Sequence, residues 1–194
     1  MTPVKLLVTA ALIASFAGCA VQSEHAGHGH GHGHAQAMSN MHDKMRGSMA
    51  VASLSPTQGN AVRGLVMFHE MDGHLMAHAQ ISGLVANSEH GFHLHEQGSC
   101  ASVDGTSAGG HFNPGRVAHG PQEGEHHAGD MPSLTANADG VINQKIMLMG
   151  VTVKDGPTSI NGRSVILHAA ADDYKTQPTG NSGARIACGV IAVH

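Results

Sequence analysis

His93 and His95 flank a single leucine in Gly91-Phe92-His93-Leu94-His95. In an extended strand, side chains at i and i+2 share a face, so this spacing sets two imidazoles side by side, the beginning of a metal site. With 18 His in the chain such a pair also arises by chance, and alone it decides nothing. A denser group follows. His111, His119, His127 and Asp130 fall within residues 111–130. Three imidazoles and a carboxylate are a full tetrahedral set for zinc, and an ion held there would give shape to a flexible loop. His126, next to His127, competes for the same role on chemistry alone. His168 closes the apolar run Ser164-Val165-Ile166-Leu167, where a lone His is more often a core residue with its hydrogen bonds met. Asp172 and Asp173 follow it, and Asp carboxylates commonly orient ligand imidazoles from behind. Arg185, shortly before Cys188, suits either an anion hook or a plain surface charge.

A second concentration of donors lies earlier. His25, His28, His30, His32 and His34 alternate largely with Gly, and Met38, Met41, His42, Met45 and Met49 follow. The tract has no core pattern, so residues 21–50 read as a flexible tail. Imidazoles this dense take Cu²⁺, Zn²⁺ or Ni²⁺, and thioethers favour Cu⁺. Metal capture is the expected chemistry; an idle polar spacer is the alternative, and Met38, Met41, Met45 and Met49 also fit one stripe of a short helix. Ahead of the tail, Lys5, the apolar run Leu6 to Phe16 and the small residues Ala17 to Ala20 make an export signal over residues 1–20, which points to the periplasm or outer cell envelope. Phe16-Ala17-Gly18-Cys19 is similar to the lipobox of bacterial lipoproteins, in which the Cys becomes lipidated and anchors the chain to a membrane. Plain cleavage after Ala20 is the other reading. The chain has 3 Cys, and Cys19 is left over when Cys100 and Cys188 pair.

These groups need strands and loops to position them. The 26 Gly among 194 residues argue for many turns and against a helical bundle, because Gly is costly inside helices. Ala61 to Phe68 is β-like, Asp72-Gly73 is a hairpin turn, and Leu75 to Ile81 returns as its partner. Residues 91–95, 141–153, 164–168 and 185–193 are further strands, separated by long Gly-rich stretches at 96–133 and 169–184. Loops of that length are usually functional or tied down. The pattern predicts one all-β domain from residue 51 to 194, an antiparallel sandwich or barrel carrying its site on loops. The net charge of −4 leaves no basic patch for nucleic acid.

Taken together, Gly-Phe-His-Leu-His at 91–95, Gly-Gly-His-Phe-Asn-Pro at 109–114 and His-Gly-Pro from 119 resemble the copper/zinc superoxide dismutase family, in particular its bacterial exported branch. His-Ala-Gly-Asp at 127–130, Gly-Arg-Ser-Val-Ile-Leu-His at 162–168 and Gly-Asn-Ser-Gly-Ala-Arg-Ile-Ala-Cys-Gly-Val at 180–190 complete the resemblance, which runs over residues 60–194. It implies a Greek-key antiparallel β-barrel. It implies copper at His93, His95, His111 and His168, and zinc at His111, His119, His127 and Asp130, with His111 shared between them. His127 is preferred over His126 because the family spaces this ligand three before the Asp. Asp172 would link His93 to His119, Arg185 would guide the anion, and Cys100 and Cys188 would form the disulfide. The implied reaction turns superoxide anion into O2 and H2O2 by alternate reduction and reoxidation of copper, with His111 and Arg185 as the residues closest to the chemistry. The family is usually homodimeric, a state the sequence leaves open. The rival reading is a periplasmic copper or zinc buffer on the same scaffold.

Overall fold

The computed structural model describes residues 49–194. The export signal, Cys19 and the tail histidines His25, His28, His30, His32 and His34 lie outside the described residues. Nine strands follow in order: β1 Met49–Pro56, β2 Arg63–Met71, β3 His74–Ser82, β4 Glu89–His90, β5 Phe92–His95, β6 Leu134–Thr135, β7 Ile142–Leu148, β8 Ser164–His168 and β9 Arg185–Val193. Among the described residues the one helical turn is a 3₁₀ turn, Thr106–Ala108.

All pairings among the nine strands are antiparallel, and seven of them form one sheet in the order β5-β8-β9-β1-β2-β3-β7. The chain crosses from one edge strand, β5, to the other, β7, and then back to β8; these crossings are the Greek-key feature. The two-residue strands β4 and β6 pair with each other, and because each leads into an edge strand their pairing draws the two edges together. The sheet therefore curls around a core of Val66, Phe68, Leu75, Ile81, Phe92, Leu94, Leu134, Ile142, Leu148, Val165, Leu167 and Ile191.

Local sequence explains the regular part. β2 and β3 alternate between buried and open positions, the pattern of a sheet wet on one face. Asp72 and Gly73 both have positive φ, 48° and 85°, as a two-residue type I′ turn requires. β5 and β8 are buried at every position because both faces are covered. Phe92, Leu94, Val165 and Leu167 face the barrel core, while His93, His95 and His168 face the long loops.

The strand expected over 61–68 is β2, shifted to Arg63–Met71, and two further boundaries differ from expectation. β1 begins at Met49, so the end of the tail drawn at residue 50 belongs to the sheet, and the helical stripe does not extend to Met49. Its inward residues are Ala50, Ala52 and Leu54, two of them small, which weakens the apolar signal. The strand expected over 141–153 is β7, ending at Leu148; Gly150 turns the chain with φ 72°, and Val151 and Val153 are buried outside it.

Candidate metal centre

Alternation in β5 points the rings of His93 and His95 out of the barrel on one side, and pairing of β5 with β8 brings His168 to the same side. The other edge of β5 is taken by the long loop. Leu94 N–H donates to Gly129 O at 2.9 Å, Phe112 N–H to Leu94 O at 2.8 Å, and Glu96 N–H to Gly110 O at 3.0 Å. Isolated bridges pair His93 with Asp130 and His95 with His111. The strand edge is thus both protected and used: it sets the loop's His111 and Asp130 beside the strand's histidines.

Two groups of donors result. One donor atom from each of His93, His95, His111 and His168 lies within 4.8 Å of the others, and the same holds for His111, His119, His127 and Asp130. All seven residues are buried. His111 belongs to both groups, and its ring centroid is 4.0 Å from that of His93 and 5.5 Å from that of His127.

The hydrogen bonds fix which ring nitrogen each histidine offers. His95 Nδ1–H donates to Gly109 O at 3.0 Å and His168 Nδ1–H to Gly183 O at 3.2 Å. His93 Nε2–H donates to Asp172 Oδ2 at 2.6 Å, and His119 Nε2–H to Asp172 Oδ1 at 3.0 Å. Asp172 therefore spans the two groups from behind. The opposite nitrogens, His93 Nδ1, His95 Nε2, His111 Nε2 and His168 Nε2, are buried with no hydrogen-bond partner. A buried, unpaired polar atom costs about 1–3 kcal/mol, and four lone pairs converging on one point are a set that a metal ion satisfies. The second group is arranged around Asp130: His111 Nδ1 is 2.8 Å and His127 Nδ1 3.2 Å from Oδ1, and His119 Nδ1 is 3.0 Å from Oδ2 but out of line for a hydrogen bond. The donor set fits metal ions in both places, and His111 offers one nitrogen to each. His126 instead turns its Nδ1 to Gly124 O at 2.8 Å.

Burial dominates the electrostatics of the first group. It pushes His93 down to about 4, against the pull of Asp172, His95 down to about 2 and His168 down to about 3, so these rings remain neutral lone-pair donors at any ordinary pH. In the second group burial also opposes charge on His119, but the carboxylates of Asp130 and Asp172 outweigh it and raise His119 to about 9. Asp130 and Asp172 are themselves held well below the usual carboxylate range: burial alone would raise them, and their bonds to the histidines prevail.

Arg185 lies at the start of β9, where His168 is its cross-strand partner. Its Nη1 donates to Gly105 O at 2.7 Å and its Nη2 to Gly109 O at 2.6 Å, so the carbonyl that orients His95 also holds the guanidinium. A shallow hollow bordered by Thr57, Asn60, Asp104, Thr106 and Arg185 opens beside it. Cys100 and Cys188 form a disulfide with Cα atoms 5.8 Å apart, tying this loop to β9. Several supports have no sequence signature. Gln177 grips the backbone of His119 twice, through Oε1 at 2.8 Å and Nε2 at 2.9 Å. His90 donates from Nδ1 to His168 O at 2.7 Å. Gly180, with φ 63°, lies where a Cβ would overlap the Asp172 carboxylate and the His119 ring, so Asp172 can span the site only past a glycine.

Comparison with known proteins bears on the family and the fold. The sequence profile of the copper/zinc superoxide dismutase (SODC) family matches residues 62–191. The chain is 37% identical over 147 residues to superoxide dismutase [Cu-Zn] 2 of Aquifex aeolicus, covering 73% of this chain and 85% of the relative. It is 39% identical over 140 residues to the superoxide dismutase-like protein YojM of Bacillus subtilis, covering 69% and 71%. Among solved structures, a double mutant of a superoxide dismutase-like protein from Bacillus subtilis superposes with a TM-score of 0.67 at 40% identity, over 73% of this chain and 96% of that one. The clock protein EA4 does so with a TM-score of 0.67 at 35% identity, over 76% and 95%.

Proposed function

This chain belongs to the copper/zinc superoxide dismutase family, and from that membership we propose that it is an exported dismutase converting superoxide to O2 and H2O2. The observation that carries the reading is the convergence of four unpaired buried nitrogens, His93 Nδ1, His95 Nε2, His111 Nε2 and His168 Nε2, next to a second set closed by Asp130. In this reading the first set holds copper and His111, His119, His127 and Asp130 hold zinc. Copper supplies one-electron reduction and reoxidation, while zinc has no redox chemistry and fixes geometry.

The chain's own residues do the rest. Burial keeps His93, His95 and His168 neutral, so their lone pairs are available without loss of a proton. The carbonyls of Gly109 and Gly183 and the carboxylate of Asp172 turn the correct nitrogen of each ring inward. His111 Nε2, when released from the ion it would hold, would take up a proton and hand it to the departing product. Arg185, clamped by two carbonyls, keeps a fixed cation at the mouth, where it attracts a small anion to a protein of net charge −4. Replacing Arg185 with Ala is expected to lower the superoxide rate about 10-fold and to weaken inhibition by small anions, since focused charge raises arrival rates by that order or more. Unchanged kinetics across ionic strength would remove Arg185 from the mechanism.

Residues 1–20 and the disulfide support export, with lipidation of Cys19 as the proposed anchor. The histidines from His25 to His34 are proposed to capture metal, so that deletion of residues 21–48 spares activity in excess copper and lowers it under copper limitation. The cut must stop at residue 48, because β1 begins at Met49. A second reading, a metal buffer, draws support from the relatives whose names say only dismutase-like or clock protein. A metallated protein that consumes no superoxide would favour it.

A further inference from the structure

The outer face of the sheet carries metal-binding side chains that the site above does not use. Across the β2–β3 hairpin the residues that point away from the core pair as Met67 with His78, His69 with Met76, and Met71 with His74. Each of these three consecutive outward pairs sets one thioether opposite one imidazole. The middle row extends on both sides: Met49 of β1 pairs with His69, and Met147 of β7 pairs with Met76.

This placement is not what folding alone would select. Met is ordinarily a core residue, yet of the seven Met in residues 49–194 only Met131 is buried in the core. Met71 is 53% exposed and Met147 49%. An exposed thioether gains little from water and adds apolar surface, so a solvent face would be better served by Thr, Lys or Gln. Directly opposite residues have Cβ atoms about 4.5–5.5 Å apart, and the long flexible Met side chain lets its sulfur reach the ion held by a neighbouring ring. One ring is already turned for the purpose: His78 Nε2–H donates to Asn143 Oδ1 at 2.7 Å, which leaves Nδ1 with its lone pair. No carboxylate or thiolate stands in the three rows, so hard ions and zinc have no advantage there. Thioether beside imidazole selects Cu⁺.

We propose that the outer face of β2 and β3 binds cuprous ion through the two adjacent pairs Met67–His78 and His69–Met76, as a site separate from the buried metal centre. It begins where the Met-rich stretch Met38, Met41, Met45 ends, since Met49 is already in its middle row.

The test uses the full chain with its buried centre loaded. Cu⁺ is titrated without oxygen against a chromophoric Cu⁺ chelator, for the native chain and for the triple variant Met67→Leu, Met71→Leu, Met76→Leu, whose superoxide consumption is expected to be unchanged. One equivalent should bind about 10- to 100-fold more weakly in the variant, a loss that even outer partners of metal ligands produce. His69→Gln, which leaves every thioether in place, should weaken the same equivalent. With Ag⁺ as a redox-inert substitute, the methyl NMR signals of Met67 and Met76 should move most while that of buried Met131 stays. Superimposable chelator curves for the native and triple-variant chains, or methyl shifts confined to Met38, Met41 and Met45, would overturn the proposal. Neither result bears on the dismutase reading, which rests on other residues.

Discussion

His93, His95 and His168 stand on paired strands, whereas His111, His119, His127 and Asp130 stand on one loop with almost no regular structure. In the strand-borne half the ladder of β5 on β8 sets the rings, carbonyls choose the donor nitrogens, and burial keeps the rings neutral. In the loop-borne half isolated bridges to β5 seat His111 and Asp130, His119 and His127 stand on irregular chain, and the Asp130 carboxylate lies within 3.2 Å of all three imidazoles. The difference separates two ways of building a site. One half is shaped by the fold before any ion arrives. The other depends more on contacts among its own ligands around Asp130, whose carboxylate together with that of Asp172 raises His119 to about 9 in the metal-free domain. Asp172 and His111 are the joints between them.

The largest effect is expected in the strand-borne half. His95→Ala should cut superoxide consumption by more than about 100-fold, because even outer partners of a ligand are worth about 10- to 100-fold. Zinc content and the unfolding midpoint should stay near native. Loss of zinc in that variant would show that the halves do not form independently. Next comes the covalent tie. Replacing Cys100 and Cys188 with Ser opens a link between residues 88 apart, and the chain-entropy view gives a loss of about 4–5 kcal/mol, read by urea unfolding of the metal-free protein. It should also lower activity, since the same loop supplies the Gly105 and Gly109 carbonyls that hold Arg185 and His95.

Asp130→Asn tests the loop-borne half alone. Removing one partner of a buried charge cluster costs about 3–5 kcal/mol, so zinc should be lost and the metal-free domain weakened, with copper uptake by His93, His95 and His168 preserved. The smallest effect is in the pH dependence of the metal-free domain, where the halves act with opposite sign. As pH falls below 6.5 the unfolded chain takes protons that the folded His93, His95 and His168, at about 4, 2 and 3, refuse, so stability declines on the acid side. His119, raised to about 9, contributes stability fully below 6.5 and loses it as pH rises through 9. His119→Gln should flatten the alkaline limb in thermal unfolding and leave the acid limb; an unchanged alkaline limb would mean that Asp130 and Asp172 do not hold a proton there.

The same contrast explains what can be read from sequence. The strand-borne pair declares itself, because alternation in Gly91 to His95 puts two imidazoles on one face, and the hairpin of β2 and β3 is written in its alternation and its Asp72-Gly73 turn. The loop-borne residues can be named by type and spacing, with His126 and His127 left level on chemistry; only the folded loop turns His127 to Asp130 and His126 to Gly124 O. Supports that act through backbone atoms, Gly109 O, Gly183 O and the two bonds from Gln177, carry no pattern at all. The two-residue strands β4 and β6, which draw the two edges of the sheet together, are shorter than any periodicity can register. β1 is hidden by its small inward residues and its Met-rich approach.

The most direct test of the account is superoxide consumption measured by stopped flow against metal content, on protein beginning at Met49 so that the tail adds no ions. About one copper and one zinc per chain, with a rate that rises in proportion to copper and vanishes when copper alone is removed, is the predicted result. Full metal content with no superoxide consumption would contradict it, and would make the two halves a store for ions rather than a catalyst.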